Sequence, residues 1–228
     1  MSKTVFDMYN TSMNKRDYKE FSCGSFTHIY NRGNNKENIF YDDQDYRAFL
    51  FRLGLVLGVK PEELQKEDDL MIPNSRIRID SKENLFKLHS FCLMPNHFHL
   101  LIEQCSDTPI SKLISQLCTS YAMFFNKKYN RVGHVFQDKF KSVLIEDDPQ
   151  LMWTSSYIHM NPVKDGLTNS PEKYNWSSFK DFIQKRDLPI LDKELLLSLL
   201  GSESFEKETL AYFSNKNEMS RTVLDTLF

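Results

Sequence analysis

Glycine is scarce in this chain of 228 residues, which has 7 glycines and 8 prolines. Neither a GxGxxG nor a GxxxxGK[ST] motif occurs in it. The sequence therefore lacks the glycine-rich loops that cradle the phosphates of dinucleotides and nucleoside triphosphates, and we expect no nucleotide cofactor bound in that way.

Paired cysteines, long apolar runs and a strong net charge are absent as well. The four cysteines form no CxxC pair and no zinc-finger spacing, and the chain begins without a basic leader and apolar core. No apolar run approaches the roughly 18 residues that a membrane-spanning helix needs. These absences predict a reduced, soluble, cytoplasmic protein. The formal net charge of −2 gives no sign of a nucleic-acid partner, so any basic surface must be local.

The composition that remains, 40% hydrophobic and 26% charged residues, is typical of a folded globular protein. Apolar periodicity and turn residues predict alternating strands and helices. The first predicted element is a strand with a polar turn at 31–35 that favours positive φ, followed by a helix from Asp42 or Asp43 to about Leu57. Two further strands, over 85–94 and 97–103, are joined at Pro95-Asn96. A helix capped by Thr108, with Pro109 as its first residue, ends near Tyr129, and a Leu-rich helix over 193–200 precedes a polar tail.

A further helix is predicted to begin at Asp148, which precedes Pro149 as an N-cap. Pro162 is expected to end this helix at or before Asn161, because proline lacks the N–H that a helix interior needs. Tyr157 and Asn161 are four positions apart and therefore share one helix face. Tyr157 offers a nucleophilic oxygen and Asn161 an amide oxygen ligand, but a core tyrosine and a C-capping asparagine explain the pair equally well.

Two histidines in the second buried strand are the other candidates for chemistry. His97 and His99 are two positions apart, so both imidazoles project from one face of the strand and Phe98 from the other. This geometry can hold one metal ion, although two partly buried histidines on a polar sheet face are the commoner arrangement. Tyr121 is a rival nucleophile whose place in an apolar helical stripe favours core packing.

A local basic segment at residues 127–141 contains five basic residues and one acid, Asp138. Tyr129, Phe136 and Phe140 are interleaved with these cations, a combination that lets bases stack while cations follow the phosphates. A solvated basic loop is the plainer explanation. The candidate DNA contacts are Lys127, Lys128, Arg131, Lys139 and Lys141. Arg32 from the first strand, and Arg76 and Arg78 from the segment after the first helix, are weaker candidates. Trp176 in the segment WSSF could either pack or read DNA.

Five strings occur in order along the chain: FTHIYNRGNNKENIF, LHSFCLMPNHFHLLIE, YNRVGHVFQDKFKS, SSYIHMNPVKDGL and WSSF. Together they resemble the single-tyrosine HUH transposases, in particular the REP-associated tyrosine transposase branch. The resemblance runs from about Phe21 to Phe182, with only residues 60–84 looking longer than the usual pattern. It implies an α+β fold with a ferredoxin-like antiparallel sheet and flanking helices. The implied domains are an N-terminal segment at 1–20, a catalytic domain at 21–182 with an insertion at about 60–84, and a C-terminal helical extension at 183–228.

The resemblance also implies a role for each candidate residue. His97 and His99 become ligands of Mg²⁺ or Mn²⁺, and Asn161 completes the metal site. Tyr157 becomes the nucleophile, which attacks a phosphodiester of single-stranded DNA and leaves a 5′-phosphotyrosine and a free 3′-hydroxyl. The implied activity is DNA transposition by cleavage and strand transfer at hairpin or repeat sequences.

Other functions stay open at this point. The first is a domesticated DNA-binding protein that recognises hairpin repeats without cutting them, and the second is a metal-stabilised structural domain. Members of the resembled family act as homodimers or as monomers, so either oligomeric state is compatible with the sequence.

Overall fold

Four antiparallel strands form one sheet in the computed structural model, which describes residues 21–67, Leu70 and 85–214. The strands are β1 (Ser25–Arg32), β2 (Phe86–Met94), β3 (His97–Gln104) and β4 (Lys141–Ile145). The helices are α1 (Asp43–Leu57), α2 (Pro61–Leu64), α3 (Ile110–Lys128), α4 (Asp148–Lys164), α5 (Phe179–Phe182), α6 (Glu194–Leu200) and α7 (Ser202–Ser214), with short 3-10 turns at Asn34–Lys36 and Pro171–Lys173.

The strand order β2-β3-β1-β4 confirms the predicted ferredoxin-like α+β fold. In this topology α1 connects β1 to β2 and α3 connects β3 to β4, so both helices lie on one face of the sheet. Their apolar stripes meet Phe98 and its neighbours there; Phe49, for example, lies 5.0 Å from Phe98 between ring centroids. Tyr121 is buried in this same core and donates a hydrogen bond to the Ile39 carbonyl, which confirms its packing role.

Helix α4 covers the opposite face of the sheet and is itself covered by α7. Two helix starts differ from the sequence-based prediction by one residue. Asp147 rather than Asp148 is the N-cap of α4, accepting a hydrogen bond from Gln150 N, and Pro109 rather than Thr108 precedes α3. Within the predicted C-terminal helical extension, Ser202–Ser214 form a helix in the segment that the sequence marked only as a polar tail.

Helix α4 also continues past Pro162 to Lys164, one turn beyond the predicted end. The prediction was wrong because this proline removes only its own hydrogen bond, the one directed at the Ile158 carbonyl. Asp165 N donates to Asn161 O at 2.9 Å, which closes the next turn. The additional turn carries Lys164 onto the site described below.

The free edge of β2 is covered by the WSSF segment. Leu93 N donates to Trp176 O at 2.8 Å, and Ser178 N donates to Phe91 O at 3.0 Å. The Trp176 ring stacks on Tyr46 with centroids 4.6 Å apart. The structure therefore gives Trp176 a packing role.

The polar turn after β1 differs from its predicted form at Gly33. The positive φ angles occur at Asn35 and Lys36, whereas Gly33 has a φ of −60°. Glycine is needed at position 33 for space, because a Cβ atom there would lie 2.1 Å from the Glu37 carbonyl oxygen. The predicted insertion falls mostly outside the described residues, as do Arg76 and Arg78.

A buried carboxylate joins the N-terminus of α1 to the C-terminus of α3. Asp45 is fully buried, and its Oδ2 atom accepts hydrogen bonds from Tyr41 N and from the Tyr129 hydroxyl, each at 2.8 Å. Its Oδ1 atom accepts from Lys128 Nζ, also at 2.8 Å. Lys128 also pairs with Asp42, which completes a capping box with Asp45.

We expect Asp45→Ala to lower the free energy of unfolding by about 3 kcal/mol, because Tyr41 N and the Tyr129 hydroxyl lose their acceptor and Lys128 loses one of its two carboxylate partners. The measurement is urea unfolding followed by circular dichroism. Asp43→Ala removes an exposed first-turn carboxylate of the same helix and is expected to cost about 0.5 kcal/mol. Equal losses in the two variants would contradict the anchoring role of Asp45.

Candidate active site

Five side chains from three elements meet on the sheet face that α4 covers. Strand alternation places His28 and Tyr30 of β1, and His97 and His99 of β3, on this face. Tyr157 of α4 packs on them, with its ring centroid 5.7 Å from that of His99 and 5.9 Å from that of His28. The His97 and His99 centroids are 5.0 Å apart. The structure thus brings together the two histidines and the tyrosine that the sequence singled out.

Hydrogen bonds orient the His97 imidazole. Asn96 Nδ2 donates to Lys36 O at 3.2 Å, so Asn96 Oδ1 is the atom that faces His97. This oxygen can only accept, and it lies 2.7 Å from His97 Nδ1. Nδ1 therefore carries the proton in neutral His97, and Nε2 carries the lone pair, which is the state found in metal-ligating histidines.

His99 can adopt the same state through His28, whose Nε2 lies 2.9 Å from His99 Nδ1. When His99 Nδ1 donates in this bond, its Nε2 carries the lone pair. His28 then holds its own proton on Nδ1. His28 is thus a positioning residue for His99, and the sequence analysis assigned it no such role although it alternates with Tyr30 along β1.

The three imidazoles of this site are held neutral. Burial lowers the pKa of His28 to about 3. Burial, and secondarily the charges of Arg32 and Lys164, lower the pKa of His97 to about 3. Burial also depresses the pKa of His99 well below its usual range. Neutral imidazole is the form that binds a metal ion.

The donor set fits an ion that accepts both nitrogen and oxygen ligands. Within the part of the chain that the structure describes, no three His, Cys, Asp or Glu side chains come together as a metal site. Asn161 lies on the same helix face as Tyr157, and its Nδ2 donates to Tyr157 O at 2.8 Å, so Oδ1 is the atom that could coordinate an ion. Two neutral imidazoles and one amide oxygen add no negative charge, so an ion held there would retain its full positive charge and open positions.

The six predicted DNA contacts form three groups: two cations beside the histidine site, two cations in ion pairs, and two exposed lysines. Arg32 lies opposite His97 in the β1–β3 pair, and Lys141 Nζ lies 5.8 Å from the Tyr30 ring centroid, so these two cations flank the histidine site. Lys128 forms the ion pairs with Asp42 and Asp45, and Arg131 pairs with Glu37 at 3.1 Å. Lys127 and Lys139 are exposed.

The aromatic part of the predicted basic patch is different from the expectation. Phe140 is buried, and Phe136 packs against Phe98 and Tyr121 in the core under α3. Tyr129 donates to Asp45. Phe140 therefore offers no exposed face for base stacking, and Phe136 is half-buried against the core.

Comparisons with known proteins confirm the resemblance. Residues 64–161, which include His97, His99, Tyr157 and Asn161, match the family model described as "Transposase IS200 like". A Haemophilus influenzae protein named as a REP-associated tyrosine transposase is 32% identical over 105 residues, covering 41% of this chain. The chain spans 59% of the length of that curated relative.

A solved structure of a REP-associated tyrosine transposase bound to a REP hairpin has a TM-score of 0.49 to this chain at 13% identity. The structural alignment covers 75% of this chain and 93% of the chain in that solved structure. Among the described helices, none has the length and apolar character required to cross a membrane.

Burial of histidines makes the stability of the metal-free chain depend on pH. His28, His97 and His159 each have a folded-state pKa of about 3 against an ordinary value of 6.5. Between these values the unfolded chain binds a proton that the folded chain does not, so the free energy of unfolding falls as pH drops from about 6.5. The slope is about 1.4 kcal/mol per pH unit for each such histidine.

We expect His159→Gln to flatten this slope in EDTA by about 1.4 kcal/mol per pH unit, measured by urea unfolding between pH 5 and 6. His134 is exposed, so His134→Gln serves as the matched control and should retain the parent slope. Identical slopes in both variants would show that His159 titrates normally in the folded chain.

Proposed function

From the IS200-like transposase domain over residues 64–161, we propose that this chain cleaves and rejoins single-stranded DNA in a metal-dependent reaction. One observation carries the proposal: His97, His99 and Tyr157 lie together although they come from different elements. A core tyrosine alone would not require two neutral histidines with oriented lone pairs beside it. Mg²⁺ or Mn²⁺ is the proposed ion.

Tyr157 is the proposed nucleophile. Its oxygen attacks the phosphorus of a phosphodiester, the O–P bond to Tyr157 forms, and the bond from phosphorus to the 3′ oxygen breaks. The phenolic proton is released to solvent and the 3′ oxygen takes up a proton. The resulting 5′-phosphotyrosine conserves the bond, so a 3′-hydroxyl can reverse the step and join another end.

The remaining residues prepare this attack. His97 and His99, with Asn161, are placed to hold the divalent ion, which when bound supplies positive charge against the phosphate and the leaving oxygen. His28 and Asn96 fix the imidazole orientations through the bonds at 2.9 and 2.7 Å. Unperturbed tyrosine has a pKa near 10, so nearby positive charge is needed to favour attack by its oxygen on an anion.

The proposed DNA is a hairpin-forming repeat, the substrate implied by the resemblance to REP-associated tyrosine transposases, one of which is similar to this chain in sequence. Arg32 and Lys141 are the proposed phosphate contacts, because they flank the histidine site. Lys127 and Lys139 stay candidates as exposed cations.

A second candidate function is recognition of hairpin DNA without cleavage. Tyr157 is 2% exposed and stacks on Trp153 with ring centroids 5.5 Å apart. DNA can reach its hydroxyl only after the side chains that cover it move. If that movement does not occur, the chain binds hairpins and leaves them intact.

Tyr157→Phe is expected to abolish a covalent protein–DNA adduct that the parent chain forms with single-stranded hairpins in Mg²⁺ or Mn²⁺. The adduct is detected on a denaturing gel and located by peptide mass analysis. EDTA should prevent it as well. Tyr41 is 52% exposed, and Tyr41→Phe should leave the adduct unchanged. Binding without an adduct would favour the second function, and an adduct on another tyrosine would contradict the assignment of Tyr157.

The salt dependence of DNA affinity distinguishes the cations that flank the histidine site from a cation held in an ion pair. We expect Arg32→Gln and Lys141→Gln each to reduce the slope of log affinity against log salt by about 0.7, the value for one phosphate contact of single-stranded DNA. Arg131→Gln removes a cation paired with Glu37 and should leave the slope unchanged. Fluorescence anisotropy of a labelled hairpin measures the affinity of each of the three variants as the salt concentration is varied. A flat salt response of the parent chain would exclude phosphate binding.

A further inference from the structure

We propose that Lys164 binds the phosphate that Tyr157 attacks. This inference rests on the proposed function and adds a residue to it that the sequence analysis did not include. Lys164 Nζ lies 5.8 Å from the centroid of the Tyr157 ring.

The helix places Lys164 where this role requires it. Tyr157, Asn161 and Lys164 occupy positions i, i+4 and i+7, which lie above one another on one helix face. Lys164 joins that face only because α4 continues through Pro162.

The chemistry of the ammonium group favours an anion as its ligand. A lysine ammonium has three donors and no acceptor, so it cannot coordinate a metal ion. It binds phosphate as a compact point charge. Attack by Tyr157 on phosphorus brings an electron-rich oxygen to an anionic group, and a cation beside both reduces that repulsion.

Three cations from three different elements then surround the site. Arg32 comes from β1, Lys141 from β4 and Lys164 from α4, and each is placed against a different ring: His97, Tyr30 and Tyr157, respectively. Lys164 lies over the ring of the proposed nucleophile. We therefore assign it the scissile phosphate and the other two cations the neighbouring phosphates.

A packing role for Lys164 makes a different prediction. A cation lying over a buried aromatic ring such as that of Tyr157 contributes about 2 kcal/mol to stability, whether or not DNA is bound. Loss of that contact alone would change the stability of the chain and leave the salt slope of DNA binding unchanged.

The test compares Lys164→Gln with the parent in a Tyr157→Phe background, so that binding is measured without cleavage. Hairpin DNA is used with either a normal phosphate or an uncharged methylphosphonate at the position where the parent chain cleaves. With normal DNA we expect Lys164→Gln to weaken binding and reduce the salt slope by about 0.7. With methylphosphonate DNA the two proteins should bind equally, because the charge that Lys164 contacts is gone.

Adduct formation by the chain with Tyr157 intact gives the second measurement. At saturating DNA, Lys164→Gln should slow the single-turnover rate by about 100-fold, consistent with loss of one electrostatic contact at a reacting group. Lys164→Arg should recover part of that rate. Lys112 is an exposed lysine of α3, and Lys112→Gln should match the parent in both measurements.

An unchanged salt slope in Lys164→Gln, or a binding defect that persists on methylphosphonate DNA, would overturn the assignment of Lys164. A parent chain that binds hairpins but forms no adduct would remove the cleavage function, and the salt slope would still decide whether Lys164 contacts phosphate. A parent chain that binds no DNA would overturn both proposals.

Discussion

The alternation of side chains along the paired strands β1 and β3 is the constraint on which the rest of the molecule depends. One face of the pair is apolar, and Ile29 and Phe98 join the core beneath α1 and α3. The other face carries His28, His97 and His99, which are almost fully buried. A slip of one residue in the register would exchange the two faces and destroy both the core and the site.

Burial of polar rings on this face costs free energy that must be offset by specific contacts. The hydrogen bonds between His97 and Asn96 and between His99 and His28 offset part of it. The first leaves the lone pair on His97 Nε2, and the second leaves it on His99 Nε2 when His99 Nδ1 is the donor. The same burial that lowers the histidine pKa values keeps the imidazoles neutral and able to bind an ion. Stability and preparation for metal binding are therefore in opposition at this face, a common feature of functional sites.

Local patterns in the sequence were sufficient for β1, β2 and β3, for α1 and α3, and for the shared face of His97 and His99, because those features depend on periodicity within one segment. The short edge strand β4 was not predicted. Local patterns were insufficient where distant residues decide the outcome. Ion pairs with Asp42 and Glu37, more than 80 positions away, divide a basic segment that looks continuous in sequence. The role of Trp176 likewise depends on a strand far from it in the chain.

The C-terminal end of α4 was predicted wrongly for a different reason. The helix-breaking rule for proline is sound in general, but it treats one missing hydrogen bond as decisive. Here the following turn closes through Asn161 and Asp165, and Lys164 becomes part of the site. Counting i+7 from Tyr157 would have drawn attention to Lys164 from sequence alone. The roles of His97, His99, Asn161 and Tyr157 in catalysis remain predictions that the geometry supports.

The most direct test of the central claim is a crystal structure of the Tyr157→Phe chain with a DNA hairpin and Mn²⁺, with anomalous diffraction measured at the manganese edge. The claim predicts one anomalous peak within bonding distance of Nε2 of both His97 and His99, with a DNA phosphate oxygen as a further ligand. A manganese peak elsewhere, or none at these histidines while DNA is bound, would contradict it.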